Sequence, residues 1–260
     1  MTEPRPPRES LTEILSSGAR LESFWGQATR GDLLARAVSW AGAGEPLASI
    51  QATFYAEAPP EVELALVGED LGPGRTRVRA HLGDDLLCEA NVRFAWPGDG
   101  LAYQGVRPDP GLPGPDALPS ETELAEREGW APYAVGPIES RRIGEQVPVK
   151  ADEPAVWLGW LRPRQALPRD ARIQNAALAF LAEYRSHWAV ERRLGPAFPR
   201  STITLLDFAL WVHRAERWDD WWLVQTRSDI GVGGRCLSQR EIYTRSGALL
   251  ASAAWEALVR

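Results

Sequence analysis

An α+β chain in which one structural unit is used twice is what this sequence predicts, and three observations carry the prediction. An apolar stripe at helical spacing is followed by a series of strand-like runs. The same order of helix, strand, turn and long strand returns in the second half, with Gly74 and Gly234 160 residues apart and the two helical stripes separated by a similar distance. Between the copies lies "VRPDPGLPGPDALPS", residues 106–120, too rich in proline and glycine for helix or central strand.

The elements follow in order. In "RGDLLARAVSWAGAG" Leu33, Leu34, Ala37, Val38 and Ala41 share one helical face, and Gly42 and Gly44 end it. "LASIQATFYAEA", "EVELALVGED", "RTRVRAHL" and "LLCEANVRFAW" then read as strands, two of their junctions being the turns "LGPG" and "GDD". In the second half "DARIQNAALAFLAEYRSHW" places Ile173, Ala176, Ala177, Phe180, Leu181 and Tyr184 on one face and leads through "GPAFPR" into "TITLLDFALWVHRA". After these come "WWLVQTRSDI", "GVGG", "RCLSQREIYT", "RSG" and "ALLASAAWEALVR". A long helix wrapped by an antiparallel sheet, twice in one chain, is the layout of a double hot dog, with both helices buried between sheet layers. The expected domains are residues 1–105 and 125–260, joined by a linker over 106–124.

The run "TITLLDFALWVHRA" sets one carboxylate, Asp207, among apolar residues. Its pattern alone fits a buried helix capped at Asp207 as well as a strand; the double hot dog layout selects the strand. Strand alternation then puts Leu205, Asp207, Ala209, Trp211 and His213 on one face and Leu206, Phe208, Leu210 and Val212 on the other. A carboxylate taken out of water needs a partner or a chemical task.

With "LDFALWVHR", "EIYTRSGALLASAAWE" and "VWLGWLRP", and more loosely with "FWGQ", "RGDLLARA" and "FYAEAPP", the chain resembles the acyl-CoA thioesterase II family (TesB-type) over nearly its whole length. The resemblance implies hydrolysis of acyl-CoA thioesters with no metal or cofactor. It also implies a catalytic water held by an Asp, by a Thr or Ser on the next strand and by a Gln on the last. Carried over by position, these fall on Asp207, Asp229 and Trp255, so two of the three depart from the pattern. Ser228 offers a hydroxyl only in a register shifted by one, which would turn it to the opposite face. Two carboxylates in one apolar pocket would raise one pKa, whereas neither a carboxylate nor an indole supplies the neutral donors of Thr and Gln. Trp211 and His213, flanking Asp207, and Gly31, opening the first helix, are the substrate-binding candidates. Asp32 reads as a helix N-cap. The alternative to turnover is a non-catalytic protein that binds an acyl thioester or a fatty acid in a degenerate site. Hot dog dehydratases rank lower, because their His-x-x-x-Gly and Gly-Asp-x-Asn-Pro stretches do not occur.

Composition narrows the partners. The net charge of -6 and the lack of any basic run beyond Arg141-Arg142 and Arg192-Arg193 speak against nucleic acid and anionic membranes. No window is apolar enough to span a bilayer, the first ten residues read as a frayed tail, and Cys88 and Cys236 stand in no metal or disulfide motif. "GVGG" joins strand to strand and is no phosphate loop. A cytoplasmic homodimer acting on small acyl-CoA molecules is the expectation, and the twelve Trp read first as large core residues, with the lining of an apolar cavity as the alternative.

Overall fold

The structure is a computed structural model that describes residues 30–42, 44–56, 64–94, 99–128, 137–145, 148–150, 152–194 and 203–260. The first ten residues, "FWGQ", "GPAFPR" and the end of "FYAEAPP" lie outside the described residues.

Helix α1 (Arg30–Ala41) is followed by β1 (Leu47–Phe54), β2 (Ala65–Asp70), β3 (Arg75–Leu82) and β4 (Asp85–Phe94). A short helix α2 (Glu121–Glu128), β5 (Ile138–Arg142) and β6 (Ala155–Pro163) precede the second long helix, α3 (Ala171–Glu183). Then come α4 (Trp188–Leu194), β7 (Ile203–Val212), β8 (Trp222–Val232), β9 (Arg235–Thr244) and β10 (Leu249–Val259). The strands form one sheet in the order β2-β3-β4-β1-β7-β10-β9-β8-β6-β5, with antiparallel pairing at each described ladder. The two units meet at β1 and β7, where Ser49 to Thr53 run against Trp211 to Asp207. This is a double hot dog whose two sheets are continuous.

The repeat extends to individual hydrogen bonds. Gly74 and Gly234 both adopt positive φ, 65° and 78°, a conformation open to residues without Cβ. Each carbonyl accepts from the end of its unit's last strand, Gly74 from Phe94 N at 2.7 Å and Gly234 from Val259 N at 2.6 Å.

Both long helices lie on the concave face and bury their apolar stripes, α1 with Leu33, Leu34, Ala37 and Val38 and α3 with its run from Ala176 to Glu183. Asp170 caps α3, accepting from Arg172 N at 2.8 Å and Ile173 N at 3.3 Å. The helix expected to run through Trp188 stops at Tyr184, because Arg185 takes a left-handed φ of 57°. Its guanidinium is held there by Glu121 at 2.6 Å and by the Trp188 ring 3.9 Å below. Asp32 also departs from the sequence reading: it is buried inside the first turn of α1 and pairs with Arg36 at 3.1 Å, so it is no N-cap.

The segment between the units packs on the second one. Pro113 O accepts from Trp160 Nε1 at 2.9 Å, Leu118 O accepts from Arg141 Nη1 at 2.6 Å, and Asp116 pairs with Arg245 at 2.6 Å. This strap covers a cluster of Trp160, Trp221, Leu223 and Tyr243 on the convex face of the sheet, with Leu112 and Leu118 packed against it.

Candidate functional site

Asp207 stands at the seam between the two units, opposite Thr53 on β1 and Glu256 on β10. The β7–β10 register slips between Glu256 and Ala257, leaving Leu206 as an extra residue. That bulge corrects the alternation read from sequence: Leu205 turns inward with Phe208 and Leu210, while Asp207 faces solvent on the convex side. The desolvation problem posed by the apolar run therefore does not arise. One carboxylate oxygen, Oδ1, accepts from Glu256 N at 3.3 Å, which fixes the group beside the bulge.

A second bulge lies two strands further on. The β8–β9 register slips between Ser228 and Ile230, and Asp229 is the extra residue, exposed, with Oδ2 3.3 Å from Arg227 Nε. Asp207 and Asp229 thus stand at one level of the sheet but are separated by β10 and β9, about 14 Å at the usual strand spacing. At that separation they do not form the carboxylate pair in one pocket that the sequence suggested. Ser228 does face the opposite way, buried, with its hydroxyl donating to Leu237 O at 3.3 Å.

Trp255 points into the core. It stacks on Phe208 with ring centroids 5.9 Å apart and carries the Arg240 guanidinium 5.4 Å from its centroid. Cross-strand pairing makes Phe208, Trp255, Ser238 and Ser228 one inner row, and Thr53, Asp207, Glu256, Leu237 and Ile230 one outer row. The three positions carried over from the family are therefore at one height, with Trp255 on the reverse side from Asp207.

Trp211 shares the outer face with Asp207 and is 40% exposed, an unusual position for an indole. His213, just beyond β7, places Nε2 2.9 Å from Ser252 Oγ, and burial, with Arg214 adding, lowers its pKa below the usual histidine value. These two line the same face as Asp207. Gly31 does not: it lies on the concave side, where its N–H donates to Glu183 Oε2 at 2.9 Å. A Cβ at Gly31 would stand 3.0 Å from both Glu183 Oε2 and Phe180 O, so glycine is what lets α1 approach α3.

Sequence reasoning missed the polar network under the helices. Glu183 is buried, accepting from Gly31 N and, at 2.8 Å, from Ser186 Oγ; burial raises its pKa against those hydrogen bonds and the nearby Arg240 charge. Arg240, 1% exposed, donates Nη1 to the α3-terminal carbonyls of Leu181, Ala182 and Tyr184 at 2.8–3.0 Å, and Nε to Thr226 Oγ1 at 2.8 Å. Burial pushes its pKa down to about 10, against the Glu183 charge. The signal was present in "RCLSQREIYT", where Arg240 shares strand parity with Cys236, Ser238 and Ile242.

Among the described residues no three His, Cys, Asp or Glu side chains gather as a metal site would require. No described helix is long and apolar enough to cross a membrane.

Residues 115–259 match the family described as "Acyl-CoA thioesterase C-terminal domain". The chain is 24% identical to Acyl-CoA thioesterase 2 of Haemophilus influenzae, over 97% of this chain and 94% of that protein. Among solved structures it is similar to an acyl-CoA thioesterase II, TesB2, from Mycobacterium marinum, with a TM-score of 0.75, 21% identity and coverage of 96% and 98% of the two chains. A hot dog protein from Alicyclobacillus acidocaldarius gives a TM-score of 0.73 at 16% identity, covering 91% of this chain and 88% of that one. These two structures support the fold.

Proposed function

Because the chain belongs to the acyl-CoA thioesterase family, of TesB type, we propose that it hydrolyses acyl-CoA thioesters by means of a water molecule held by Asp207. The observation that carries this reading is the convex-face seam, where a carboxylate at a bulge stands in solvent directly across from the hydroxyl-bearing Thr53. With Oδ1 engaged by Glu256 N–H, Oδ2 is left to orient a water and take its proton as the water attacks the thioester carbonyl. The tetrahedral intermediate then collapses, breaking the C–S bond and releasing CoA thiolate, which takes up the proton that Asp207 gives back through solvent, so the carboxylate is restored. Thr53 is the neutral hydroxyl nearest the carboxylate in the ladder and takes the part that Asp229 cannot. Trp211 and His213 extend the same face and would line the path of the substrate. Arg227 and Arg235, on the outer faces of β8 and β9, would meet the CoA phosphates.

The test is free-CoA release from a panel of acyl-CoAs. Asp207→Asn is expected to lower kcat by about 100-fold or more with little change in melting temperature. Retention of full activity would remove Asp207 from the mechanism. Trp255 favours a second reading, because a buried indole stacked on Phe208 cannot give the amide donor of its family position to a substrate on the convex face. In that reading the protein binds an acyl thioester or fatty acid without turnover, and a saturable change in tryptophan fluorescence with no CoA release would select it. The free, buried thiols of Cys88 and Cys236 suit a reducing, cytoplasmic location.

A further inference from the structure

Two buried donors on the concave side of the second unit have no acceptor among the described residues. Arg240, 1% exposed, directs Nε to Thr226 and Nη1 to the carbonyls at the end of α3, but its Nη2 meets no acceptor. Ser238, fully buried two residues earlier on the same inner face of β9, leaves Oγ without a partner. Buried polar groups are almost always hydrogen-bonded, and an unmade bond is costliest on a charged group, so the pair calls for an occupant.

The ladder brings the two donors together. Ser238 stands directly across from Trp255 on β10 and Ser228 on β8, and Arg240 directly across from Ala253 and Thr226. The guanidinium carbon lies 5.4 Å from the centroid of the Trp255 ring, so the head group leans out of its own row toward that of Ser238. Residues two apart on one strand face are about 7 Å apart, a span that one atom about 3 Å from each donor bridges. The other polar atoms of these two rows are engaged, Ser228 Oγ with Leu237 O and Thr226 Oγ1 with Arg240 Nε. The wall on the β10 side is aromatic, Trp255 stacked on Phe208.

Charge decides the kind of occupant. A guanidinium taken out of water needs an opposite charge. Among the described residues the one acid whose charge acts on Arg240 is Glu183, and its two oxygens accept from Gly31 N–H and the Ser186 hydroxyl instead of from the guanidinium. The carbonyl end of α3 supplies only about half a negative charge. The balance stays positive, and both unpartnered atoms can donate. A water would accept from them but bring two hydrogens of its own to an aromatic wall, whereas a small anion accepts from both and neutralises the charge.

We propose that Arg240 Nη2 and Ser238 Oγ hold one small monovalent anion, a halide or a carboxylate of the size of formate, beneath the end of α3. Counting from Gly74 and Gly234, the first unit has Val78 and Ala80 at these positions, so the equivalent place there offers no donors. The site lies on the reverse side of the sheet from Asp207 and takes no part in the proposed hydrolysis.

The experiment is urea unfolding of the full chain, titrated separately with sodium chloride and sodium formate while sodium gluconate, whose anion is bulkier, holds the ionic strength. Wild type is compared with Ser238→Ala, which removes one donor and leaves every bond from Arg240 to α3 in place, and with Arg79→Ala on the convex face. The wild-type midpoint should rise with the logarithm of the concentration of at least one of the two anions, as binding to the folded state requires. Arg79→Ala should follow wild type, and Ser238→Ala should need about ten-fold or more of the anion for the same rise. A response to chloride alone assigns a halide and a response to formate alone a carboxylate, and either supports the site. Where chloride acts, crystals grown in bromide must show its anomalous peak beside Arg240 Nη2, and a peak absent there overturns the assignment. A wild-type midpoint indifferent to both anions overturns the proposal, leaving water as the occupant, and so does a Ser238→Ala response that superimposes on that of wild type.

Discussion

One cross-strand row sets the two units side by side. Read across the convex face from β2 to β8, it runs Val67, Arg79, Glu89, Thr53, Asp207, Glu256, Leu237, Ile230. In the first unit the row is a paired surface: Arg79 lies 2.6 Å from Glu89, and Arg77 and Glu69 join them at 3.1–3.7 Å. In the second unit Asp207 and Glu256 stand on adjacent strands, Glu256 lying 3.5 Å from Arg235, and the row then gives way to exposed aliphatics. The concave face differs in the opposite sense. Counting from Gly74 and Gly234, Val78 and Ala80 of β3 correspond to Ser238 and Arg240 of β9, so β3 is apolar inside where β9 is polar. The duplicated backbone is therefore a constant on which the two units carry different side chains.

The comparison can be broken most severely at Arg240. Replacing it with Met removes one of the cations acting on Glu183 and orphans three helix-end carbonyls, whose cost should be about 3–5 kcal/mol by denaturant unfolding. A loss below about 1 kcal/mol would mean that the second unit tolerates an apolar interior as readily as the first. A smaller effect is expected at the contact between the helices. Gly31→Ala forces a methyl to within 3.0 Å of Phe180 O and Glu183 Oε2, and a loss of about 1–3 kcal/mol should follow, read as a lower melting temperature. Smaller still is the first unit's ion-pair surface: Arg79→Ala removes a half-exposed pair and should cost less than about 1 kcal/mol.

The repeated helix-and-meander order, both left-handed glycines and the inward helix stripes were legible because they depend on local periodicity and turn chemistry. The bulges at Leu206 and Asp229 were not. A bulge is set by the register of two strands against each other, and neither "TLLDFA" nor "TRSDIG" carries a local mark of it. The apolar look of the run around Asp207 misled for a related reason: Ala209 and Trp211 are on the convex face, so apolarity there does not mean burial. The end of α3 was hidden because a long-range pair, Arg185 with Glu121, holds a non-glycine residue left-handed. Arg240 was readable from strand parity but was passed over, since only the folded helix end shows which carbonyls it meets.

The finest test of the contrast is the pH dependence of stability carried by Glu183, which has no counterpart in the apolar interior at Val78 and Ala80. Burial raises its pKa above the ordinary 4.5, so between that value and the raised one the folded protein holds a proton that the unfolded chain has released. Folding then binds protons, and stability from this group is full at low pH and lost as pH rises through the raised pKa. Glu183→Gln keeps an acceptor for Gly31 N–H and a partner for the Ser186 hydroxyl but cannot ionise. The stability of Glu183→Gln relative to wild type, measured by denaturant unfolding from pH 5 to 8, should therefore increase with pH. Arg240 works against this trend, because its cation favours the ionised carboxylate. A difference that stays flat, or falls, would show that the cation has overcome the burial penalty and that Arg240 and Glu183 form a true internal ion pair where β3 of the first unit carries only Val78 and Ala80.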